Sequence, residues 1–170
     1  MNNRNKKIFL AVSIAVPFLV YCFYYYGVML KNAPYRFADF ESITLKYGMG
    51  TDLVNQWDSR TGDFQYESSR GNLVKTNVKL NKDDLLYLHR KAAELGLWNM
   101  PDVIESGDNT RPTPHYYVEF RYKEKTKKML LDLNYNEKPK LRAAAKSVVD
   151  EVRDKVIAAE EKARKFKKEE

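Results

Sequence analysis

The chain has 170 residues, of which 44% are hydrophobic, 31% charged and 13% aromatic, a composition that allows one folded domain with an appendage. Its single cysteine, Cys22, excludes an intrachain disulfide and a zinc site built on cysteines. The net charge of +7 arises at the two ends, since residues 38–137 carry 14 basic and 16 acidic side chains. A nucleic-acid-binding fold carries its basic surplus on the fold itself, so nucleic acid is not an expected partner.

The first predicted element is a transmembrane helix over residues 8–30. This stretch contains no charged side chain, and a helix rising about 1.5 Å per residue makes it long enough for a hydrocarbon layer of about 30 Å. Three basic side chains lie in residues 1–7 and two in residues 31–37. Because basic flanks prefer the cytoplasmic side, we expect residues 1–7 inside, a linker over residues 31–37 and the rest of the chain outside the inner or cytoplasmic membrane.

Two other interpretations of this segment involve cleavage. A secretory signal peptide would need small residues at its cleavage site, and the apolar run is not followed by such a pair. A lipoprotein signal would place its lipid-modified cysteine at Cys22, but Tyr21 occupies a position that needs a small residue, and the apolar run continues to Leu30. The sequence therefore favours an uncleaved signal-anchor in a single-pass protein, with the lipid bilayer as its partner.

Residues 38–159 are predicted to form an α+β domain that opens with three strands. Alternating apolar and polar side chains predict a strand over residues 43–47, a second over 64–67 and a third over 74–80. Turn-forming residues at 69–72 join the second and third strands as a hairpin.

A helix is predicted over residues 82–95. Asn81 is a good N-cap, apolar side chains follow at helical spacing, and Gly96 supplies a left-handed stop. Leu97 and Trp98 are expected to pack beneath the end of this helix.

The last elements are a second hairpin and a long helix. Residues 115–122 alternate with a period of two and turn into a partner strand over 129–133, and a helical pattern runs from Pro139 to Ala159. Residues 160–170 are a charged helical tail that we expect to project into solvent. The predicted order is β-β-β-α-β-β-α, with an antiparallel sheet and helices on one face.

The sequence contains no motif that indicates catalysis, a cofactor or a metal. His89 and His115 have no neighbouring nucleophile or ligand pattern, and a small enzyme that uses His115 with a nearby acid is the least favoured hypothesis. Asp102, Glu105 and Asp108 recur every third residue, but this spacing does not match a calcium loop. We interpret these three residues as part of a solvated loop and do not expect enzyme activity.

The predicted interaction residues lie in the connection over residues 48–62. Met49, Leu53 and Trp57 are apolar side chains in a segment expected to be a loop. The i,i+4 spacing of Leu53 and Trp57 predicts a single helical turn that packs both onto the sheet. The alternative is an exposed patch that contacts a partner, and the three residues are our interaction candidates on that interpretation.

A resemblance supports the envelope location. The helix start Leu80-Asn81-Lys82-Asp83-Asp84-Leu85, the ending Leu97-Trp98-Asn99-Met100-Pro101-Asp102 and the strand Tyr116-Tyr117-Val118-Glu119-Phe120-Arg121-Tyr122 resemble an uncharacterised group of small bacterial envelope proteins, membrane-anchored or lipoprotein-like. The resemblance implies bacterial origin and an envelope location, and it implies no catalytic residue. We therefore expect a membrane-anchored binding or interaction module with a protein partner, as an accessory subunit of a membrane complex. The alternative is an inhibitor or immunity protein against a secreted toxin or envelope hydrolase.

Overall fold

The computed structural model describes residues 3–31, 35–107 and 112–169, with side chains described for Phe9 and residues 11–26 of the first helix and up to residue 165 at the C-terminal end. The chain forms two compact units, Met1–Tyr35 and Arg36–Glu170. The boundary between them falls inside the predicted linker, of which residues 32–34 lie outside the described residues.

The first unit is helix α1, Asn3–Lys31, which contains Pro17. Its described apolar side chains are exposed apart from the half-buried Cys22, and Ser13 Oγ donates a hydrogen bond of 2.8 Å to the carbonyl of Phe9 one turn earlier. Within the described residues, no helix is both long enough and apolar enough to cross a bilayer.

The second unit is an α+β domain with a seven-stranded sheet, which confirms the predicted fold class. Two helices accompany the sheet, α2 (Lys82–Glu94) and α3 (Pro139–Glu169). The strands are β1 (Phe40–Met49), β2 (Asp52–Asp58), β3 (Asp63–Glu67), β4 (Leu73–Asn77), β5 (Val103–Ile104), β6 (Pro114–Tyr122) and β7 (Thr126–Asp132). Their order across the sheet is β4-β3-β2-β1-β6-β7-β5.

The prediction of a fully antiparallel sheet is wrong at one edge. Strand β5 pairs with β7 in parallel, through Val103 with Leu130 and Ile104 with Leu131, whereas the other neighbours are antiparallel. A two-residue strand is too short to show a period of two in the sequence, which is why this element was not predicted.

The predicted helical turn between residues 48 and 62 is also wrong, because this segment forms strand β2. It folds back on β1 as a hairpin with a register shift between Tyr47 and Met49. Gly48 permits the close turn, since a Cβ at this position would lie 1.9 Å from the carbonyl oxygen of Asp52. An i,i+4 spacing is even, so it places Leu53 and Trp57 on one face of a strand as readily as on one face of a helix.

The core lies between one face of the sheet and the helices. The register places five buried side chains side by side across this face: Phe64, Trp57, Leu45, Val118 and Met129. The stripe of α3 that covers them is equally buried, through Ala145, Val148, Val149, Val152 and Val156. Burial of apolar side chains on a single face is what positions both helices there and leaves the opposite face of the sheet to solvent.

Several predicted details of the helices are confirmed. The side chain of Asn81 accepts a hydrogen bond of 2.8 Å from the Asp84 amide at the start of α2, and Gly96 has a φ of 79° just after its end. Leu97 is fully buried in the following 3-10 turn. At the end of α3, residues 161–165 are exposed as predicted, but Glu160 is buried beside Tyr66.

Candidate functional site

The exposed face of the sheet carries a line of polar side chains that we name the basic row. It contains Lys75, Gln65, Gln56, Lys46 and Tyr117, each of which is the register partner of the next across strands β4, β3, β2, β1 and β6. Register partners point to the same face, so these five side chains lie next to one another.

A second line runs parallel to the first, two residues along the strands, and we name it the acidic row. Thr44 pairs with Asp58 on one side and with Glu119 on the other, and Asp63 lies two residues from Gln65 on β3. Because side chains alternate along a strand, residues two apart share a face, which places both rows on the exposed side of the sheet.

The two rows line a groove with a volume of about 840 Å³. The residues that border it include Lys46, Lys75, Asp58, Glu119 and Arg121. A groove of this volume lies in the range of sites that hold a small molecule or a short segment of another chain. Because the helices cover the other face of the sheet, no element of this domain covers the groove within the described residues.

Tyr117, Glu119 and Arg121 form a hydrogen-bonded cluster at one end of the groove. Strand alternation brings the three side chains to one face, where the Glu119 carboxylate accepts hydrogen bonds from the Tyr117 hydroxyl and from Arg121 Nη2, the latter at 2.6 Å. Burial raises the pKa of Glu119, but these two hydrogen bonds outweigh it, and its pKa is lowered overall. Burial and the bond to Glu119 raise the pKa of Tyr117. Glu119 is therefore charged and Tyr117 neutral at physiological pH, which suits them to binding and not to proton transfer.

Asp58 in the acidic row also has its oxygens occupied. One carboxylate oxygen accepts a hydrogen bond of 3.1 Å from Thr44 Oγ1, and the other accepts one of 2.8 Å from the backbone amide of Arg60. Asp58 and Glu119 therefore already have partners inside the domain.

The basic row differs, because its ammonium groups have no hydrogen-bonded partner among the described residues. Neither Lys46 nor Lys75 makes a hydrogen bond or an ion pair through its side chain there, and the same holds for the amide of Gln56. The charge of Lys46 nevertheless helps to lower the pKa of Glu119 in the acidic row. Gln65 uses its amide nitrogen to donate a hydrogen bond of 2.9 Å to the carbonyl of Val54. The groove thus offers two ammonium groups and an amide to a ligand.

The three predicted interaction residues have different positions. Trp57 is 1% exposed and its indole nitrogen donates a hydrogen bond of 2.9 Å to the carbonyl of Val78, so it is a core side chain. Leu53 is half-buried and is among the residues that border the groove, but strand alternation places its side chain on the same face of β2 as Trp57. Met49, at the end of β1, is 56% exposed and is the most exposed of the three.

Neither histidine belongs to the groove. His89 is 8% exposed, its Nδ1 lies 2.8 Å from the Tyr122 hydroxyl, and the rings of Phe37 and Trp98 pack against it. Burial, assisted by the positive charge of Arg90, lowers its pKa. His115 is half-buried, with Nδ1 2.9 Å from the carbonyl of Thr113. Both histidines therefore have structural partners.

The predicted solvated loop contains an ion pair that the sequence did not indicate. Lys127 is 7% exposed and its ammonium group donates hydrogen bonds to the carbonyl of Met100 at 2.5 Å and to the carboxylate of Asp102 at 2.7 Å. Asp108 lies outside the described residues. Within the described part of the chain, no group of three or more histidine, cysteine, aspartate or glutamate side chains is arranged to hold a metal ion.

A second buried charge, Asp132, fastens this loop to the sheet. Its carboxylate accepts hydrogen bonds from Ser106 Oγ at 2.6 Å, Thr113 Oγ1 at 2.7 Å and the Asn134 amide at 2.8 Å. Burial raises its pKa, but these bonds outweigh that effect and lower the pKa to about 2. Asp132 thereby holds both ends of the connection that enters β6.

The groove does not follow from the sequence patterns, although one signal for it is present. The alternation that predicts β6 already places Tyr117, Glu119 and Arg121 on its polar side. The neighbours of that strand are distant in sequence, and an alternating pattern does not indicate which strands are adjacent.

No protein-family model matches this chain, and the curated proteins include no significant match to it.

Proposed function

We propose that this protein is a binding module of the cell envelope and that the groove between the two rows is its binding surface. The observation that carries the proposal is the groove itself, a concave site of about 840 Å³ on a sheet face without helical cover. Lys46, Lys75 and Gln56 supply the polar groups that would orient a ligand.

The chemistry of the groove supports binding and gives no support to catalysis. Glu119 is charged and held by Tyr117 and Arg121, so it is a poor general base. Unengaged ammonium groups, by contrast, form charge-assisted hydrogen bonds as soon as an acceptor arrives. We accordingly propose a protein partner and no cofactor.

We further propose that residues 8–30 anchor this module in the inner or cytoplasmic membrane as a signal-anchor. The sequence in this range has no charge, and four large apolar side chains of α1, Phe9, Ile14, Phe18 and Phe23, are each at least 65% exposed. A helix with apolar side chains all round is typical of one surrounded by lipid. Residues 1–7 would lie in the cytoplasm and the α+β domain on the outer side.

Site-specific photocrosslinking in the bacterial cell tests the binding surface. A photoreactive amino acid placed at Gln56 or Lys75 in the groove should form an adduct with the partner. The same amino acid at Ala143, which is exposed on α3, serves as the matched control. Adducts from the groove positions alone are the expected result, and groove positions that give no more adduct than Ala143 would contradict the proposal.

The identity of the adduct also decides how the module acts. A protein of a membrane complex would support the role of accessory subunit. A secreted toxin or an envelope hydrolase would instead support the inhibitor or immunity role.

A further inference from the structure

The arrangement of the basic row indicates what the groove binds, an inference that rests on the proposed function. We propose that the groove binds an extended, acidic segment of the partner protein that carries two carboxylates four residues apart. Lys75 and Lys46 would each hold one carboxylate, and the segment would run across the strands of the sheet.

The spacing of the two lysines matches that of the proposed segment. Lys75 on β4 and Lys46 on β1 are separated by the register partners Gln65 and Gln56, which is a distance of three strands. Neighbouring strands lie about 4.8 Å apart, so the two backbone positions are about 14 Å apart. An extended chain advances about 3.3 Å per residue, so side chains four residues apart are separated by about 13 Å.

The parity of this spacing matters as much as its length. In an extended chain, successive side chains point to opposite sides, and residues four apart therefore point to the same side. Two carboxylates in this relation would both face the basic row, whereas carboxylates three or five residues apart would point in opposite directions.

The groups between the two lysines fit the backbone of such a segment. Gln56 has an unengaged amide, which offers both a donor and an acceptor, and the amide oxygen of Gln65 remains an acceptor while its nitrogen bonds to Val54. An extended segment has backbone donors and acceptors that are not used within it, so the two glutamines would satisfy them between the lysines.

The charges of the groove favour acidic side chains of the bound segment only on the side of the basic row. Asp58 and Glu119 in the acidic row are already hydrogen-bonded, and the Arg121 guanidinium pairs with Glu119. The acidic row lies two residues along the strands, about 7 Å from the basic row. A segment with acidic side chains toward the basic row and uncharged polar side chains toward the acidic row therefore complements both.

Binding of synthetic peptides to the full chain in a mild detergent tests the inference. The probe is a nine-residue peptide of serine and threonine with glutamate at its third and seventh positions and a neutral fluorophore at one end. The control peptide has the same composition with the glutamates at the third and sixth positions. Fluorescence anisotropy should report tighter binding of the first peptide, with an affinity that falls as salt concentration rises.

Variants of the chain identify the groups responsible. Lys46→Gln and Lys75→Gln should each weaken binding of the first peptide by about fivefold, the effect of a partly exposed ion pair of about 1 kcal/mol. Lys128→Gln is the matched control, because Lys128 is the register partner of Glu119 on the same face but does not border the groove. This variant should bind the peptide as the unaltered chain does.

The outcomes separate this inference from the proposed function. Equal affinity for the two peptides, or equal loss of binding in Lys128→Gln, would overturn the inference. An anionic oligosaccharide such as oligogalacturonate that binds with the same lysine dependence, while the first peptide does not bind, would also overturn it. If photocrosslinks from Gln56 nevertheless persist, the proposed function stands; if they are lacking as well, the proposed function fails independently.

Discussion

Three ionisable side chains in the core of the domain are stabilised in different ways. Asp132 is favoured in its charged form because Ser106, Thr113 and Asn134 together donate four hydrogen bonds to it, and the ammonium group of Lys127 donates to Asp102 and to a backbone carbonyl. His89 lies beside aromatic rings and the Tyr122 hydroxyl, and burial lowers its pKa. Burial disfavours a charge unless hydrogen bonds compensate for it, which explains why the lowered pKa of Asp132 favours its charged form and the lowered pKa of His89 favours its neutral form.

The first prediction concerns Trp57. Trp57→Phe should lower the free energy of unfolding by about 1–3 kcal/mol, because the Val78 carbonyl loses its donor, and Trp57→Ala by about 3–5 kcal/mol, because a large cavity is added. Urea unfolding followed by circular dichroism measures both values. Met49→Ala is the control, since this exposed side chain should matter little for stability. A Trp57→Ala variant as stable as Met49→Ala would contradict the core position of the indole.

The second prediction is a pH dependence carried by His89. Its pKa in the folded state lies below the ordinary value of 6.5, so the unfolded chain binds a proton more readily than the folded chain does. The contribution of His89 to stability is therefore present above pH 6.5 and is lost as the pH falls through the folded-state pKa. We expect His89→Gln to reduce the loss of stability between pH 7 and pH 5, measured by urea unfolding at both values. His115→Gln should retain that loss, and a His89→Gln variant with the same pH profile as the unaltered chain would refute the assignment.

The third prediction uses the lowered pKa of Asp132, which is about 2 against an ordinary 3.8. The charged form is the one stabilised by folding, so its contribution of about 2 kcal/mol is complete above pH 3.8 and declines as the pH falls toward 2. Asp132→Asn should cost at least that amount at pH 7, and its difference from the unaltered chain should shrink below pH 3.8. Thermal unfolding over this pH range provides the measurement. Asp154→Asn, at an exposed position on α3, is the control and should change stability little at pH 7.

Secondary-structure elements with a long, regular period were predictable from the sequence, and short or ambiguous ones were not. Helices α2 and α3 and strands β6 and β7 each repeat their pattern over several residues, and the caps at Asn81 and Gly96 are local chemistry. In place of the predicted helical turn the structure has strand β2, because the spacing of Leu53 and Trp57 fits the period of a helix and also that of a strand. The groove needed more than periodicity, because its two rows depend on β1 lying beside β6, a pairing of segments that are distant in the chain.

The fourth prediction tests which face of β6 is which. Phe120→Ala should destabilise the domain by about 3–5 kcal/mol, because the side chain is fully buried and packs against Trp98. Arg121→Ala, one residue further along the strand, removes an exposed side chain of the groove and should cost under about 1 kcal/mol. Urea unfolding under the same conditions gives the free energy of unfolding of both variants. A greater loss in Arg121→Ala than in Phe120→Ala would mean that the buried and exposed faces of β6 are assigned the wrong way round.

At the scale of the whole molecule, the proposed anchor and its orientation are open to direct measurement. A reporter enzyme that is active only outside the cytoplasm, fused after Glu170, should be active, because more basic residues precede residues 8–30 than follow them. The matched control is the same fusion to a chain without residues 1–35, which should be inactive. A second reporter, active only in the cytoplasm and fused at the same position, should be inactive. Its activity would contradict the proposed orientation.

The intact mass of the purified chain tests whether the anchor is retained. We expect a mass that includes residues 2–170, with or without the first methionine. A product that begins at Cys22 and carries added acyl groups would instead establish lipid attachment at this cysteine.

The central place of β1 in the sheet has a consequence for how the chain folds as it is made. Strands β1 to β4 are joined by short turns and form a meander as soon as they have been synthesised, which leaves the other edge of β1 unpaired. This edge of β1, a strand that contains Ile43 and Leu45, stays unpaired until β6 has been synthesised. The pairing is complete only when Tyr122 has left the ribosome. Pairings between distant segments form slowly, and an unpaired apolar strand is where one chain associates wrongly with another. The nascent chain is therefore most prone to aggregate after β4 and before β6 has been synthesised. A chaperone that binds during this interval would reduce aggregation most.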